Sequence, residues 1–239
     1  MALEALKIDS DIVEDKDVLG GGSFVLESGI YEAKVDLAYM DKSKGGAMSL
    51  NIHFLTSDNQ QLRQTLWVTS GDAKGNKNTY LDKEGNKHLL PGMNQANHLA
   101  LLTTGKEIGS LDTEEKVVKL YNFEAKEEIP TKVQVITEML NKDIILGVMK
   151  QVVDKNVKND DGVYVPSGET REENEITKIF SAKDKRTVTE IKAEATEAQF
   201  IKDWDEKWTG ITRNRAKGGK EGTAGGNSKP VAAPKPLFT

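Results

Sequence analysis

Three consecutive segments alternate apolar and polar residues with a period of two. Tyr31, Ala33, Val35, Leu37 and Tyr39 alternate with Glu32, Lys34, Asp36 and Ala38. Met48, Leu50, Ile52 and Phe54 alternate with Ser49, Asn51 and His53, and Leu62, Gln64, Leu66 and Val68 with Arg63, Thr65, Trp67 and Thr69. Side chains on a strand change faces at every residue, so each segment reads as a strand with one apolar and one polar face. The Gly-rich stretch Asp41 to Gly46 and the polar stretch Ser57 to Gln60 supply the turns. The pattern predicts a three-stranded meander over residues 30–69, half-buried on one side. Tyr31 and Tyr39 fall on its apolar face and are expected in the core. The outward face carries Asn51, His53, Arg63, Thr65 and Trp67.

Beyond the meander the punctuation changes. Residues 71–92 form an insertion in which Thr79 to Leu81 and His88 to Leu90 flank the polar Asp82 to Lys87, a hairpin signal. Asn94 to Thr104 has the helical spacing, with Ala96, Leu99, Ala100 and Leu102 on one face, Asn94 as the predicted cap and Gly105 as the stop. Val117 to Phe123 reads as a short strand. Lys132 to Leu140 and Asp143 to Val153 read as a hairpin turned by Asn141-Lys142, with the second strand apolar on both faces and therefore central. Asn156 to Asn174 is a polar loop or excursion, and Glu175 to Ile191 fits strand or helix. Glu194 to Trp208 predicts an amphipathic helix with Phe200, Ile201, Trp204 and Trp208 on one side. Five strands with a helix between the third and fourth is the element order of an OB-fold.

These elements predict a mainly β protein with α insertions (α+β): an OB-fold-like five-stranded barrel with a β-hairpin insertion, a C-terminal helix and a disordered C-terminal tail. The expected organisation is an acidic lead-in over 1–28, a body over 29–208 and a flexible basic tail over 209–239. The charge follows that division. Arg213, Arg215, Lys217, Lys220, Lys229 and Lys235 against Glu221 give the tail +5, which leaves −10 for residues 1–208 of the overall −5. An acidic body lowers the expectation of tight duplex binding, yet the local field of a cleft outweighs the sum.

Composition excludes several chemistries. The chain has no cysteine, so disulfides, thiolate zinc sites and cysteine nucleophiles are absent. Residues 1–7 lack the basic start and apolar core of a signal peptide. No apolar run approaches the ~18 residues needed to span a bilayer. A cytoplasmic protein without membrane association is expected. There is no Walker loop, no Gly-x-Ser-x-Gly and no His-Glu-x-x-His. His88 and His98 are a poor metal pair, and Gly20 to Gly22 precedes a strand rather than a helix, which does not make a phosphate cradle. Asp36, Asp154, Asp160, Asp161, Glu172 and Glu173 are carboxylates that a magnesium-dependent nuclease would need, but in so acidic a chain they read as surface. No enzyme, cofactor or metal is expected.

The chemistry that remains is stacking and phosphate contact. Trp67 on an outward strand face suits a nucleobase, since bases stack on aromatics for about 1–3 kcal/mol each without sequence readout. Arg63, His53 and Asn51 share that face, with Lys34 beside it. Lys42, Lys44, Lys74, Lys77, Lys83 and Lys87 lie in adjoining loops with Tyr80, and Tyr121 and Phe123 are further aromatics that extend the platform. The opposing reading is that Trp67 covers core beneath the insertion and that loop lysines are merely solvated.

Gly29 to Val35, Lys44 to Ile52 and Arg63 to Val68 together resemble the opening strands of bacteriophage single-stranded DNA-binding proteins of OB-fold type. The resemblance covers roughly residues 29–153. It implies a replication or recombination accessory in the host cytoplasm that coats and protects single strands, largely without sequence specificity. It also implies recruitment of replisome proteins through a C-terminal tip, here Pro236, Leu237 and Phe238. Tails of that family are acidic before the terminal aromatic; this one is basic, which predicts DNA capture rather than competition with DNA. Monomer and homodimer both remain open. The alternatives are a protein-interaction or virion accessory β-domain, and a metal-dependent nuclease.

Overall fold

The computed structural model describes residues 25–122, 125–159 and 164–217. The expected meander is present as β1 (Gly29–Lys42), β2 (Met48–Thr56) and β3 (Gln61–Trp67), joined antiparallel in that order. Leu50, Ile52, Phe54, Leu62 and Leu66 point inward and are buried. Each such side chain contributes about 1.5–3 kcal/mol on leaving water. The finger consists of β4 (Thr79–Leu81) and β5 (Lys87–Leu89), a separate two-stranded sheet.

Helix α1 (Pro91–Thr104) begins three residues before the expected cap. Leu90 occupies the cap position and Pro91 opens the first turn, where its missing N–H costs nothing. Gly105 ends the helix in the left-handed region, as expected. The helix packs on β3 and on the strand Tyr164–Ser181, burying Ala96, Leu99 and Ala100.

The second half departs from the expected pairing. β6 (Glu114–Asn122) and β7 (Glu127–Val135) pair with each other, and β7 also reaches β1 through Tyr39 and Met40. The expected hairpin over 132–153 is therefore not formed. A 3-10 turn over Thr137–Met139 separates β7 from β8 (Asp143–Lys158). Asn141 does turn the chain, at φ 59°, but its N–H donates to Val35 O rather than closing a hairpin. β8 is central, as its two apolar faces imply: β1 lies on one side and β9 (Tyr164–Ser181) on the other, with Ile144 to Met149 all buried. The polar segment 156–174 belongs to the long arm of the β8–β9 hairpin. Segment 175–191 resolves into the end of β9 and α2 (Val188–Lys192), which carries a capping box between Thr187 and Glu190.

Helix α3 spans Gln199–Trp208, shorter than the expected 194–208. Trp204, Ile201 and Trp208 pack on Ile145, Met149 and Phe180 on the far side of β8. A Cβ at Gly147 would stand 3.0 Å from the Trp204 ring, so glycine makes that seat. The backbone on either side of the expected 29–208 body is held to it. Leu26 exchanges hydrogen bonds with the Asn174 amide, and Ser28 Oγ accepts from Lys150 N–H at 2.8 Å while donating to Ile211 O at 2.6 Å. Residues expected in the tail form β10 (Arg213–Asn214), parallel to β8. The acidic lead-in to residue 24 and the tail from 218, with Pro236, Leu237 and Phe238, lie outside the described residues, as does Phe123.

The result is a mainly β protein: an eight-stranded, almost wholly antiparallel sheet with few helices. Among the described residues no backbone ladder joins β3 to β9. The gap is spanned by side chains instead, with Gln64 Nε2 donating to Ile176 O at 3.2 Å and Gln95 Nε2 to the same oxygen at 2.8 Å. No described helix is long and apolar enough to cross a membrane.

Candidate nucleic-acid interface

The β1–β2–β3 register brings side chains together in rows, because residues directly opposite share a face. Leu37, His53 and Arg63 form one row; Tyr39, Asn51 and Thr65 the next; Asp41, Ser49 and Trp67 the third. Lys34, Leu55 and Gln61 continue the same face at its other end.

Tyr39 belongs to this outer face, against the expectation that it lies in the core. A β-bulge between Val35 and Leu37 shifts the register by one residue. A one-residue slip moves every later side chain to the opposite face. Ala38 is consequently buried, and Tyr39 meets His53 edge-on, ring centroids 6.2 Å apart. Thr65, seen on the polar face in the alternation, joins Tyr39 in the middle row.

Trp67 is the dominant feature of the third row. Its side chain is 49% exposed, while its backbone packs beneath α1. A Cβ at Gly92 would stand 2.3 Å from Trp67 O, so only glycine lets the helix start close against this end of β3. The ring is thus carried on a fixed backbone and left open to solvent.

The polar residues are mutually oriented. Thr65 Oγ1 donates to Asn51 Oδ1 at 2.6 Å, and Asn51 Nδ2 donates to Ser49 Oγ at 3.2 Å. Arg63 Nε and Nη2 both donate to Gln61 Oε1, at 3.1 and 2.8 Å. No carboxylate lies within ion-pairing distance of Arg63 among the described residues. Burial and the neighbouring Arg63 push the His53 pKa below 6.5, with Asp36 and Glu128 opposing. Burial, then Asp41, raises the Tyr39 phenol above 10, with Arg63 opposing. Near pH 7 this face therefore presents a neutral imidazole, a protonated phenol and a guanidinium.

The loop cations cluster at the Trp67 end. Lys42 closes β1 and Lys44 lies in the β1–β2 loop; Lys74 and Lys77 lie in the segment that follows β3. The two loops dock, Asp72 N–H donating to Gly45 O at 2.9 Å. Lys83, Lys87 and Tyr80 lie farther out on the finger, whose tip is tied by Asp82. That carboxylate accepts from the Glu84 and Asn86 N–H groups and meets His88 Nε2 at 2.8 Å. The His88 contact, aided by Asn86, holds the Asp82 pKa down at about 2. Tyr80 is 46% exposed, its ring 5.6 Å from that of His88. Lys42, Lys44, Lys74, Lys77, Lys83 and Lys87 make no ion pair among the described residues, whereas Lys106, Lys116, Lys132, Lys150 and Lys155 on the other half of the molecule do. Lys34 differs from its expected companions. It stands at the far end of the face beside an open cleft of about 490 Å³, and Asp143 holds it at 3.5 Å.

The carboxylates considered for magnesium do not assemble. Glu172 holds Lys150, Glu173 holds Arg171, and Asp154 accepts from Lys217 N–H, while Asp36 stands at the β1 bulge. Among the described residues no group of three or more His, Asp or Glu side chains is placed to hold a metal ion. Asp160 and Asp161 lie outside them.

No protein-family model matches the chain, and no curated protein matches it at significant similarity.

Proposed function

We propose that this chain is a single-stranded DNA-binding protein and that the outer face of β1–β3 is where the strand lies. The observation that carries the reading is the three-row grid. A half-exposed tryptophan, a tyrosine–histidine pair and an arginine share one sheet face, next to a cluster of lysines, and among the described residues neither the arginine nor these lysines have a carboxylate partner. Trp67 stacks one base and Tyr39 a second; Asn51 and Thr65 offer hydrogen bonds that any base or sugar can take. Arg63, with Lys42, Lys44, Lys74 and Lys77, contacts phosphate. Stacking of this kind needs bases whose faces are free, which a duplex does not present.

The element order supports an OB-type barrel as the scaffold. A meander is followed by a helix and then by a strand pair, with β6–β7 as an extra hairpin before that pair. The helix spans the gap between β3 and β9, where such a barrel closes, and OB-folds bind across their second and third strands. In the setting that the resemblance to phage proteins implies, the protein coats strands exposed during replication or recombination in the host cytoplasm. It performs no chemistry on them, and tip residues 236–238 engage replisome partners.

Substitution Trp67→Ala tests the site directly. Affinity for oligothymidine should fall by about 1–3 kcal/mol with an unchanged circular dichroism spectrum. Full affinity in a folded W67A protein would remove the face from consideration.

A further inference from the structure

Strand β6 is an edge. It pairs with β7 alone, and its other edge carries no strand among the described residues. On one of its faces Glu115, Val117, Lys119 and Tyr121 are all exposed, Val117 to 62% and Tyr121 to 42%. A long edge with exposed apolar side chains is a template for another strand.

We propose that β6 pairs antiparallel with β6 of a second copy, about a two-fold axis through Val117. The charges select that register. With Val117 opposite its symmetry mate, Glu115 of each copy stands opposite Lys119 of the other, giving two cross-strand ion pairs around an apolar centre. Opposite charges directly across an antiparallel pair attract, with Cβ atoms about 4.5–5.5 Å apart. Centring it on Lys116 sets that lysine against its own symmetry mate and Glu115 against Val117. Centring it on Val118 sets Val117 against Lys119 and Glu115 against Tyr121. Both alternatives lose the complementarity. The side chains are free to make the pairs: Lys119 has no ion-pair partner among the described residues, and Glu115 uses one oxygen, Oε1, on Lys132 at 3.0 Å. An isologous contact of this kind closes on itself and stops at a dimer. This dimer is argued from the β6 edge alone and does not rest on the DNA-binding reading.

A ladder of this length buries less than a standard interface of about 1,600 Å², so the dimer is expected at protein concentrations on the order of micromolar and above. Because the chain contains no cysteine, Val117→Cys places a single thiol on the axis. Opposed residues in an antiparallel pair have Cα atoms roughly 4.5–5.5 Å apart, within disulfide range. Diamide treatment of V117C should give a covalent dimer on a non-reducing gel. Leu81→Cys, a control on the finger that is also 66% exposed, should not. In sedimentation, Lys119→Glu should give a monomer, and the swap Glu115→Lys with Lys119→Glu should restore the dimer. Cross-linking of V117C no greater than that of L81C would overturn the proposal. So would a wild type that sediments as a monomer throughout, or a dimer that K119E leaves intact.

Discussion

Trp67 and Tyr39 stand two strands and one row apart, roughly 12 Å by sheet geometry, so neither ring replaces the other. Removing either should weaken single-strand binding while leaving the fold in place. Tyr39→Ala is the sharper of the two tests, because alternation alone puts that residue in the core. A core tyrosine would cost stability, whereas an interface tyrosine costs affinity, and comparing a urea melt with a DNA titration separates the two. His53 supplies a pH test. Its pKa is held below 6.5 by burial and by Arg63, so the free protein is neutral there at pH 7. A phosphate brought onto this face favours the imidazolium and raises that pKa, so binding takes up a proton. Affinity should therefore rise as pH falls from neutral to about 6.5 and below, where the imidazole takes up its proton, and His53→Gln should flatten the profile. Stability should move the other way. His53 and His98, both depressed by burial first, destabilise the folded state as pH drops below the unfolded value of about 6.5. An affinity that falls on acidification, with the protein still folded, would contradict a phosphate contact near His53.

At the scale of elements, the close approach of α1 to β3 fixes the Trp67 end of the face. Gly92→Ala puts a methyl group 2.3 Å from Trp67 O, a contact the helix can relieve only by moving away. The variant should melt at a lower temperature by several degrees, as a loss of about 1–3 kcal/mol from overpacking implies, and its Trp67 emission should shift. The finger depends on Asp82, whose carboxylate organises the β4–β5 turn and whose pKa is about 2. A depressed carboxylate contributes stability that is whole above its unfolded value near 3.8 and lost as pH falls towards 2. Amide exchange in residues 79–89 should therefore accelerate in that acid range, and at neutral pH in Asp82→Ala. Elements were also where sequence and structure diverged. The meander, finger and central β8 were legible because each is written in local periodicity and turn residues. Tyr39 was misread because nothing in Tyr31 to Tyr39 announces a bulge: Leu37 is apolar whichever face it takes. The β7 partner was misread because Asn141-Lys142 is a true turn that docks at that bulge and does not close a hairpin.

Over the whole molecule, charge is divided. The lysines of residues 106–155 that form ion pairs lie away from the grid, while those at the Trp67 end are unpaired among the described residues, so an acidic protein presents a local cationic edge. Phosphate contacts made there release counterions, and log affinity should fall linearly with log salt by about 0.7 per contact for a single strand. Lys74→Ala with Lys77→Ala should lower that slope without abolishing binding. The sequence placed the loop lysines beside this face, but their lack of ion pairs among the described residues and the β6 edge could not be read from it, because both depend on long-range pairing. The measurement that bears most directly on the central claim is a tryptophan fluorescence titration with an oligothymidine of about 30 nucleotides, long enough for at least one OB-fold site. It should be run at low and high salt, with a duplex control and Trp67→Phe alongside. Trp204 is buried and Trp208 packs against the same far side of β8, so they supply a constant background. The account predicts quenching by the single strand that salt weakens, that duplex does not produce and that W67F loses. No change in emission at any salt would contradict it.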